Sequence, residues 1–127
     1  MEIFLQLRSK VPIYEQISAQ IKQKIIGGEL KDGDNIPSMR ALSKTLKVSV
    51  ITVQKSYEDL QREGYIDSLI GRGTFVKTPN LEDVRKEYMT KIGECANEII
   101  RLCKDGGISI DEAIGLIRTN FEEEDKS

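Results

Sequence analysis

The sequence predicts a mainly α-helical fold with a small β-hairpin, namely a winged helix-turn-helix followed by a C-terminal helical hairpin. Amphipathic helical patterns fill most of residues 13–63, and two short strand-like runs joined by Gly71-Arg72-Gly73 follow them. After Pro79-Asn80 the helical periodicity resumes. We therefore expect a winged helix-turn-helix domain over residues 1–79 and a two-helix segment over residues 80–127.

Composition limits both the architecture and the chemistry. A chain of 127 residues, 39% apolar and 31% charged, suffices for one folded domain with an appendage. No apolar run reaches the ~20 residues that cross a bilayer, and the N-terminus lacks a signal-peptide pattern, so we expect a cytoplasmic protein without a membrane partner. The sequence has no histidine and no cluster with metal-ligand spacing, so we expect no metal, no cofactor and no enzyme activity. We expect Cys95 and Cys103, too far apart on one helix to bridge, to be reduced, buried thiols.

Charge is unevenly distributed along the chain. The formal net charge is −2, but residues 1–79 carry 12 Lys/Arg against 9 Asp/Glu, and residues 80–127 carry 7 against 12. The first segment is thus +3 and the second −5. A phosphate backbone responds to the local field, although on charge alone a +3 segment is more typical of an ordinary solvated surface.

The N-terminal region predicts a strand and a helix. The run "IFLQLR" alternates and predicts a short first strand. Pro12 then favours a helix start, and isoleucines at 13, 17, 21 and 25 recur until Gly27, which predicts a helix of about fourteen residues. The stretch "LKDGDN" is typical of a turn-rich loop.

Two serine-capped helices follow. Ser38 caps a helix with Met39, Leu42 and Leu46 facing inward and Arg40, Ser43, Lys44 and Lys47 facing outward. After a turn of about three residues, Ser49 caps a helix that buries Val53, Tyr57 and Leu60 and ends at Gly64. Together they predict a helix-turn-helix.

The wing is predicted from "YIDSL" and "TFVK", which flank Ile70-Gly71-Arg72-Gly73. Glycines supply the positive φ angles that a tight reversal needs, so the pattern predicts a hairpin with Arg72 at its tip.

The C-terminal segment predicts a helix from Leu81 to about Asp105 and a second opened by the capping sequence "SIDE" at Ser109. Their apolar stripe is too large for about 48 residues to bury alone, so it needs either the winged domain or a second copy of the chain. The predicted dimer-interface residues are Leu81, Val84, Tyr88, Ile92, Cys95, Ile99, Leu102, Ile114, Ile117 and Phe121.

Order and spacing together predict a double-stranded DNA interface. The second helix of the pair would enter the major groove, with Ser49 and Thr52 donating to phosphates, Gln54 facing adenine and Arg72 in the minor groove. Taken singly, each feature has a plainer interpretation: Arg40 can pair with Asp59, Gly-Arg-Gly can be a turn with a solvated arginine, and Gln54 can be an idle surface residue. The candidate DNA-binding residues are Ser38, Arg40, Ser49, Val50, Ile51, Thr52, Gln54, Lys55, Gly71, Arg72 and Gly73.

The stretch "PSMRALSKTLKVSVITVQKSYEDLQREGYIDSLIGRGTFV" resembles the DNA-binding domain of the GntR family of bacterial transcription regulators. "PIYEQI" and the short two-helix C-terminal segment are similar to its YtrA subfamily. The resemblance implies a homodimeric repressor on a palindromic operator, with DNA contacts at Arg40, Ser49, Thr52 and Gly71-Arg72-Gly73, and with Ser38 assisting. The short C-terminal segment leaves little room for a deep effector pocket.

The chain departs from the family at Val50 and Ile51, where polar residues are usual. Our hypothesis is that these side chains meet thymine methyl groups. The alternative function is a winged-helix module that docks on proteins through its acidic C-terminal helices, and salt dependence separates the two because phosphate binding weakens steeply with salt.

Overall fold

The computed structural model describes residues 1–125 and confirms the predicted fold class. Its helices are α1 (Ile13–Ile26), α2 (Met39–Leu46), α3 (Val50–Arg62), α4 (Leu81–Gly106) and α5 (Ile110–Asp125), and its strands are β1 (Ile66–Leu69) and β2 (Gly73–Val76). The chain divides into two compact units, Met1–Leu81 and a second that begins at Glu82. Within residues 1–125, no helix combines the length and apolarity needed to span a membrane.

The predicted first strand at "IFLQLR" is wrong. Residues 1–6 form no strand, and their backbone groups bond to glutamine side chains of α1 instead. The Phe4 N–H donates to Gln20 Oε1 (2.9 Å) and Gln20 Nε2 donates back to the Phe4 carbonyl (2.7 Å). Gln16 exchanges the same pair of bonds with Gln6 (2.8 and 3.0 Å). The segment therefore bonds to two glutamine side chains one helical turn apart on α1. The alternating sequence pattern predicts an extended backbone, but it does not reveal whether the hydrogen-bond partners are side-chain amides or a neighbouring strand.

The core of the first unit lies between α1, α2 and α3. It contains three α1 isoleucines, at 17, 21 and 25, together with Leu42 of α2 and the predicted Val53, Tyr57 and Leu60 of α3. Ser56, fully buried in α3, donates to the Tyr14 carbonyl of α1 at 2.6 Å. This bond satisfies a buried hydroxyl and fixes α3 against α1.

The turn between α2 and α3 is three residues long, as predicted. Lys47 closes α2 in the left-handed conformation, with φ of 58°, and its N–H donates to the Ser43 carbonyl. The outward orientation predicted for Ser43 is wrong: the residue is buried, and its hydroxyl donates to the Val48 carbonyl across the turn. A short hydroxyl can serve the turn in this way, whereas periodicity alone places it on the outer face.

The wing is an antiparallel hairpin that pairs Ile66 with Val76 and Leu69 with Gly73. Gly71 and Gly73 both have positive φ, 86° and 84°, as the turn prediction required. A third segment, predicted as a loop, lies along β2: Asn35 bridges Phe75, and the Gly33 N–H donates to the Val76 carbonyl at 2.7 Å. This segment leads directly into α2.

In the second unit, α4 has no buried residue, and Ala113 of α5 is buried. Helix α4 ends immediately before Gly107, which has a φ of 66°, and the Ile108 N–H donates to the Cys103 carbonyl at 2.9 Å. Ser109 then caps α5 by accepting from the Glu112 N–H at 3.2 Å. Both cysteines are free thiols, but the predicted burial is wrong for Cys95, which is exposed, and Cys103 is half-buried. A single copy of the hairpin is too thin to cover them.

Candidate nucleic-acid interface

The N-terminal turn of α3 is the centre of the candidate site. Ser49 Oγ accepts from the Thr52 N–H at 3.2 Å and lies 2.7 Å from Thr52 Oγ1. The first turn contains no acidic residue, so the partial positive charge of the helix end is not offset locally. Val50 and Ile51 place apolar side chains in solvent, and Ile51 is 76% exposed. The turn therefore combines an anion-attracting end with two apolar contact groups.

The N-terminal part of α2 contributes an arginine to the site. Ser38 Oγ accepts from the Ala41 N–H at 3.1 Å, and the first turn again lacks acidic residues. Arg40 is exposed and has no ion-pair or hydrogen-bond partner among residues 1–125. Its alternative partner Asp59 pairs instead with Arg62 at 2.5 Å. The guanidinium of Arg40 is therefore available to a phosphate or a base edge.

Lys44 and Lys47 extend this basic surface. Both are exposed, and neither side chain has a partner in the described part of the chain. They lie on the last turn of α2 and directly after it, so they flank the turn that leads into α3. Cations without internal partners are the groups from which binding to a phosphate backbone gains most.

Two predicted contact residues are engaged within the protein. Gln54 Nε2 donates to Glu58 Oε1 at 3.0 Å, and Lys55 Nζ lies 3.9 Å from the centroid of the Tyr14 ring. Reading a base with the Gln54 amide would require it to leave Glu58 or to use its other hydrogen-bonding positions. Lys55 links α3 to α1 through a cation–π contact.

The wing presents different atoms from those that its sequence predicts. Arg72 is exposed, but its guanidinium folds back: Cζ lies 3.9 Å from the Phe75 ring centroid and Nη2 donates to the Gly33 carbonyl at 3.0 Å. Leu69 and Ile70 project at the tip, and Ile70 is fully exposed. Sequence reasoning missed both, although a β-branched apolar residue beside a turn glycine was a usable signal.

The segment from Lys31 to Pro37 joins the parts of the site. At one end it holds the wing through Gly33 and Asn35. At the other, the Tyr57 hydroxyl of α3 donates to the Pro37 carbonyl at 2.8 Å, immediately before the cap of α2. Burial raises the pKa of Tyr57, so its phenol remains a donor at neutral pH. The wing, α2 and α3 are thus tied to one segment.

Comparison with known proteins then identifies the family. The family "Bacterial regulatory proteins, gntR family" matches residues 13–76. The chain belongs to the GntR family. It is 36% identical over 105 residues to the HTH-type transcriptional repressor YtrA of Bacillus subtilis, over 83% of this chain and 81% of that protein. The resemblance identified from the sequence is confirmed.

Solved structures agree with this assignment. A transcriptional antiterminator from Listeria monocytogenes superposes with a TM-score of 0.73 at 29% identity, over 94% of this chain and 90% of that one. The DNA-binding domain of AraR, solved in complex with operator ORX1, gives a TM-score of 0.52 at 30% identity, over 60% and 95%. This GntR protein is therefore a DNA-binding transcriptional regulator and not an enzyme.

Proposed function

We propose that this GntR protein is a repressor that binds a palindromic operator as a homodimer. Residues 1–79 would form the DNA-binding domain and residues 80–127 the dimerisation segment. The observation that carries the proposal is the exposed N-terminal turn of α3, which contains no acidic residue, together with Arg40 of α2, which has no ion-pair or hydrogen-bond partner among residues 1–125. The similar Bacillus YtrA is itself named a repressor.

The homodimer is supported by apolar surface that one chain leaves uncovered. Several residues of the predicted stripe are largely exposed, among them Ile92 on α4 and Phe121 on α5. A second copy would cover such a stripe, and two-fold symmetry would then place two identical α3 helices on inverted half-sites. If the dimer binds one face of the duplex, the half-sites lie about one DNA turn, roughly 34 Å, apart.

Operator binding by Arg40→Ala tests the proposal. Footprinting the promoter region of the chain's own gene would define the site, and affinity for a duplex spanning it would be measured over a range of salt concentrations. We expect Arg40→Ala to lose about 1–3 kcal/mol of operator-binding free energy. We also expect it to lower the salt slope, meaning the steepness with which the logarithm of the affinity falls with the logarithm of the salt concentration, by about 1.

Arg62→Ala is the matched control, because it removes the same charge from an arginine paired with Asp59 at the other end of α3. Its affinity should stay close to that of the unmodified protein. If Arg40→Ala binds as tightly as Arg62→Ala, Arg40 does not contact DNA and the observation that carries the proposal is lost. If the unmodified chain binds no promoter DNA even at low salt, the alternative protein-docking role is favoured.

A further inference from the structure

The charged side chain at the wing tip, Arg72, already makes two interactions within the protein. The planar guanidinium of Arg72 stacks on Phe75 at 3.9 Å and donates to the Gly33 carbonyl at 3.0 Å. Releasing it toward a groove would break both interactions at once. The arginine therefore stabilises the position of the hairpin on the neighbouring segment.

Gly33 is suited to receive this contact. Its φ of 87° is in the left-handed region, and a Cβ there would lie 3.5 Å from Arg72 Nη2. Its own N–H donates to the Val76 carbonyl, so the Gly33 peptide is held by β2 while its carbonyl holds Arg72. From Gly33 the chain runs to Pro37 and the Ser38 cap, which places Arg72 in the connection between the wing and α2.

With Arg72 folded back, the outermost side chains of the wing are apolar. Ile70 is fully exposed, and Leu69 beside it is more than half exposed. A Cβ added at Gly71, next to Ile70, would meet no heavy atom within 4 Å, so the backbone at the tip is unobstructed. A branched apolar group on an open turn matches the apolar wedges with which proteins enter the minor groove.

We propose that Ile70 is the wing residue that enters the minor groove, and that Arg72 is a positioning residue that holds the wing in place through Phe75 and Gly33. The inference rests on the proposed operator binding and deepens it. It also assigns a preference: the wing favours A·T pairs, because the amino group of guanine fills the floor of the minor groove where an apolar side chain would lie.

The test is a double-mutant cycle on the footprinted duplex, with full-length Ile70→Ser, Arg72→Ala and the double variant. Each single variant should lose roughly 5- to 30-fold in affinity. In the Ile70→Ser background, adding Arg72→Ala should lower the affinity by less than about twofold. The Ile70 side chain that Arg72 positions is already absent there, so losing Arg72 can no longer displace it. Phe75→Leu should reproduce the Arg72→Ala loss.

The salt slope supplies the second readout. Arg72→Ala should leave it unchanged, because the guanidinium neutralises no phosphate in this arrangement, and Arg72→Lys should not restore affinity. Leu7→Ser, which removes an exposed apolar side chain from the N-terminal segment, is the control and should bind normally. Thermal unfolding would show that the variants remain folded.

Three results would overturn the inference: a slope lowered by about 1 in Arg72→Ala, rescue by Arg72→Lys, or losses at 70 and 72 that multiply. Any of these would assign the DNA contact to the arginine itself. Failure here is distinguishable from failure of the proposed function, since the unmodified protein and Arg40→Ala would still show salt-dependent operator binding.

Discussion

Ile51 shows how a single side chain can change what a recognition helix reads. It projects from the first turn of α3 with three quarters of its surface in water, and Val50 beside it is 41% exposed. Neither residue can donate or accept a hydrogen bond through its side chain, so neither can read a base by its polar edge. The thymine methyl group is the apolar feature that the major groove offers them.

We predict that Ile51→Ala weakens operator binding by about 1 kcal/mol, the value of roughly one buried methylene. Replacing the contacted thymines by uracil should weaken binding of the unmodified protein by a similar amount and binding of Ile51→Ala much less. Titrating both proteins with the two duplexes measures these differences. Ile26→Ala, at an exposed apolar position near the end of α1, serves as the control. Equal sensitivity to uracil in both proteins would contradict the methyl contact.

Tyr57 makes the stability of the first unit sensitive to alkaline pH. Burial raises its pKa in the folded protein above the unfolded value of about 10. The stabilisation is therefore fully present below pH ~10 and is lost as the pH rises above that value.

We predict that Tyr57→Phe costs about 0.5–1.5 kcal/mol at neutral pH, because the Pro37 carbonyl loses its donor, and that this difference shrinks above pH ~10. Chemical denaturation at several pH values measures both effects. Tyr88→Phe, at an exposed tyrosine of α4, should leave the pH dependence of unfolding unaltered. A Tyr57→Phe variant with the same alkaline loss as the unmodified protein would contradict the assignment to Tyr57.

At the scale of elements, the helices could be predicted because their signals are local. Serine caps, isoleucine spacing and terminal glycines fix α1, α2 and α3 within the chain itself. The hairpin turn was predictable for the same reason, since its two glycines supply the positive φ angles that the turn requires.

What the sequence did not reveal depends on distant partners. Asn35 pairs with Phe75 forty residues away, the backbone near Phe4 bonds to Gln20, and Arg72 turns back to Gly33. No periodicity encodes these contacts. The position of Arg72 at the wing tip was thus predictable, while the direction of its side chain was not.

The hydrogen bonds that attach the N-terminal segment to α1 can be tested through Gln20. We predict that Gln20→Ala destabilises the first unit by about 1–2 kcal/mol, because it leaves both backbone groups of Phe4 without their partners. Hydrogen exchange at the Phe4 amide should speed up correspondingly. Gln23→Ala, at an exposed position of the same helix, should change neither quantity. Unaltered exchange at Phe4 in Gln20→Ala would show that Gln20 does not hold the segment, and that Ile3 packing and the Gln16 bonds to Gln6 suffice.

At the scale of the whole molecule, the two parts of the chain differ in net charge and in the kind of contact surface that they contain. Residues 1–79 are net basic and contain the candidate DNA contacts, while residues 80–127 are net acidic and contain the uncovered stripe. An acidic segment is repelled by phosphate, so its apolar stripe is suited to a protein surface and not to DNA. A second copy of the same stripe satisfies that requirement.

We predict that the unmodified protein sediments as a dimer of 14.4 kDa chains and that Ile117→Glu sediments as a monomer, because the substitution places a charge within the stripe on α5. Sedimentation measures the mass, and operator affinity should fall with it, since one half-site then binds without the benefit of linkage to the other. Thr119→Glu is the matched control: it adds the same charge about half a helical turn away, on the opposite side of α5 from Ile117 and Phe121. The Thr119→Glu protein should remain dimeric and bind as before. If Ile117→Glu also remains dimeric, the stripe on α5 is not the dimer interface. If Ile117→Glu is monomeric but keeps its operator affinity, one wing and one α3 are sufficient for operator binding.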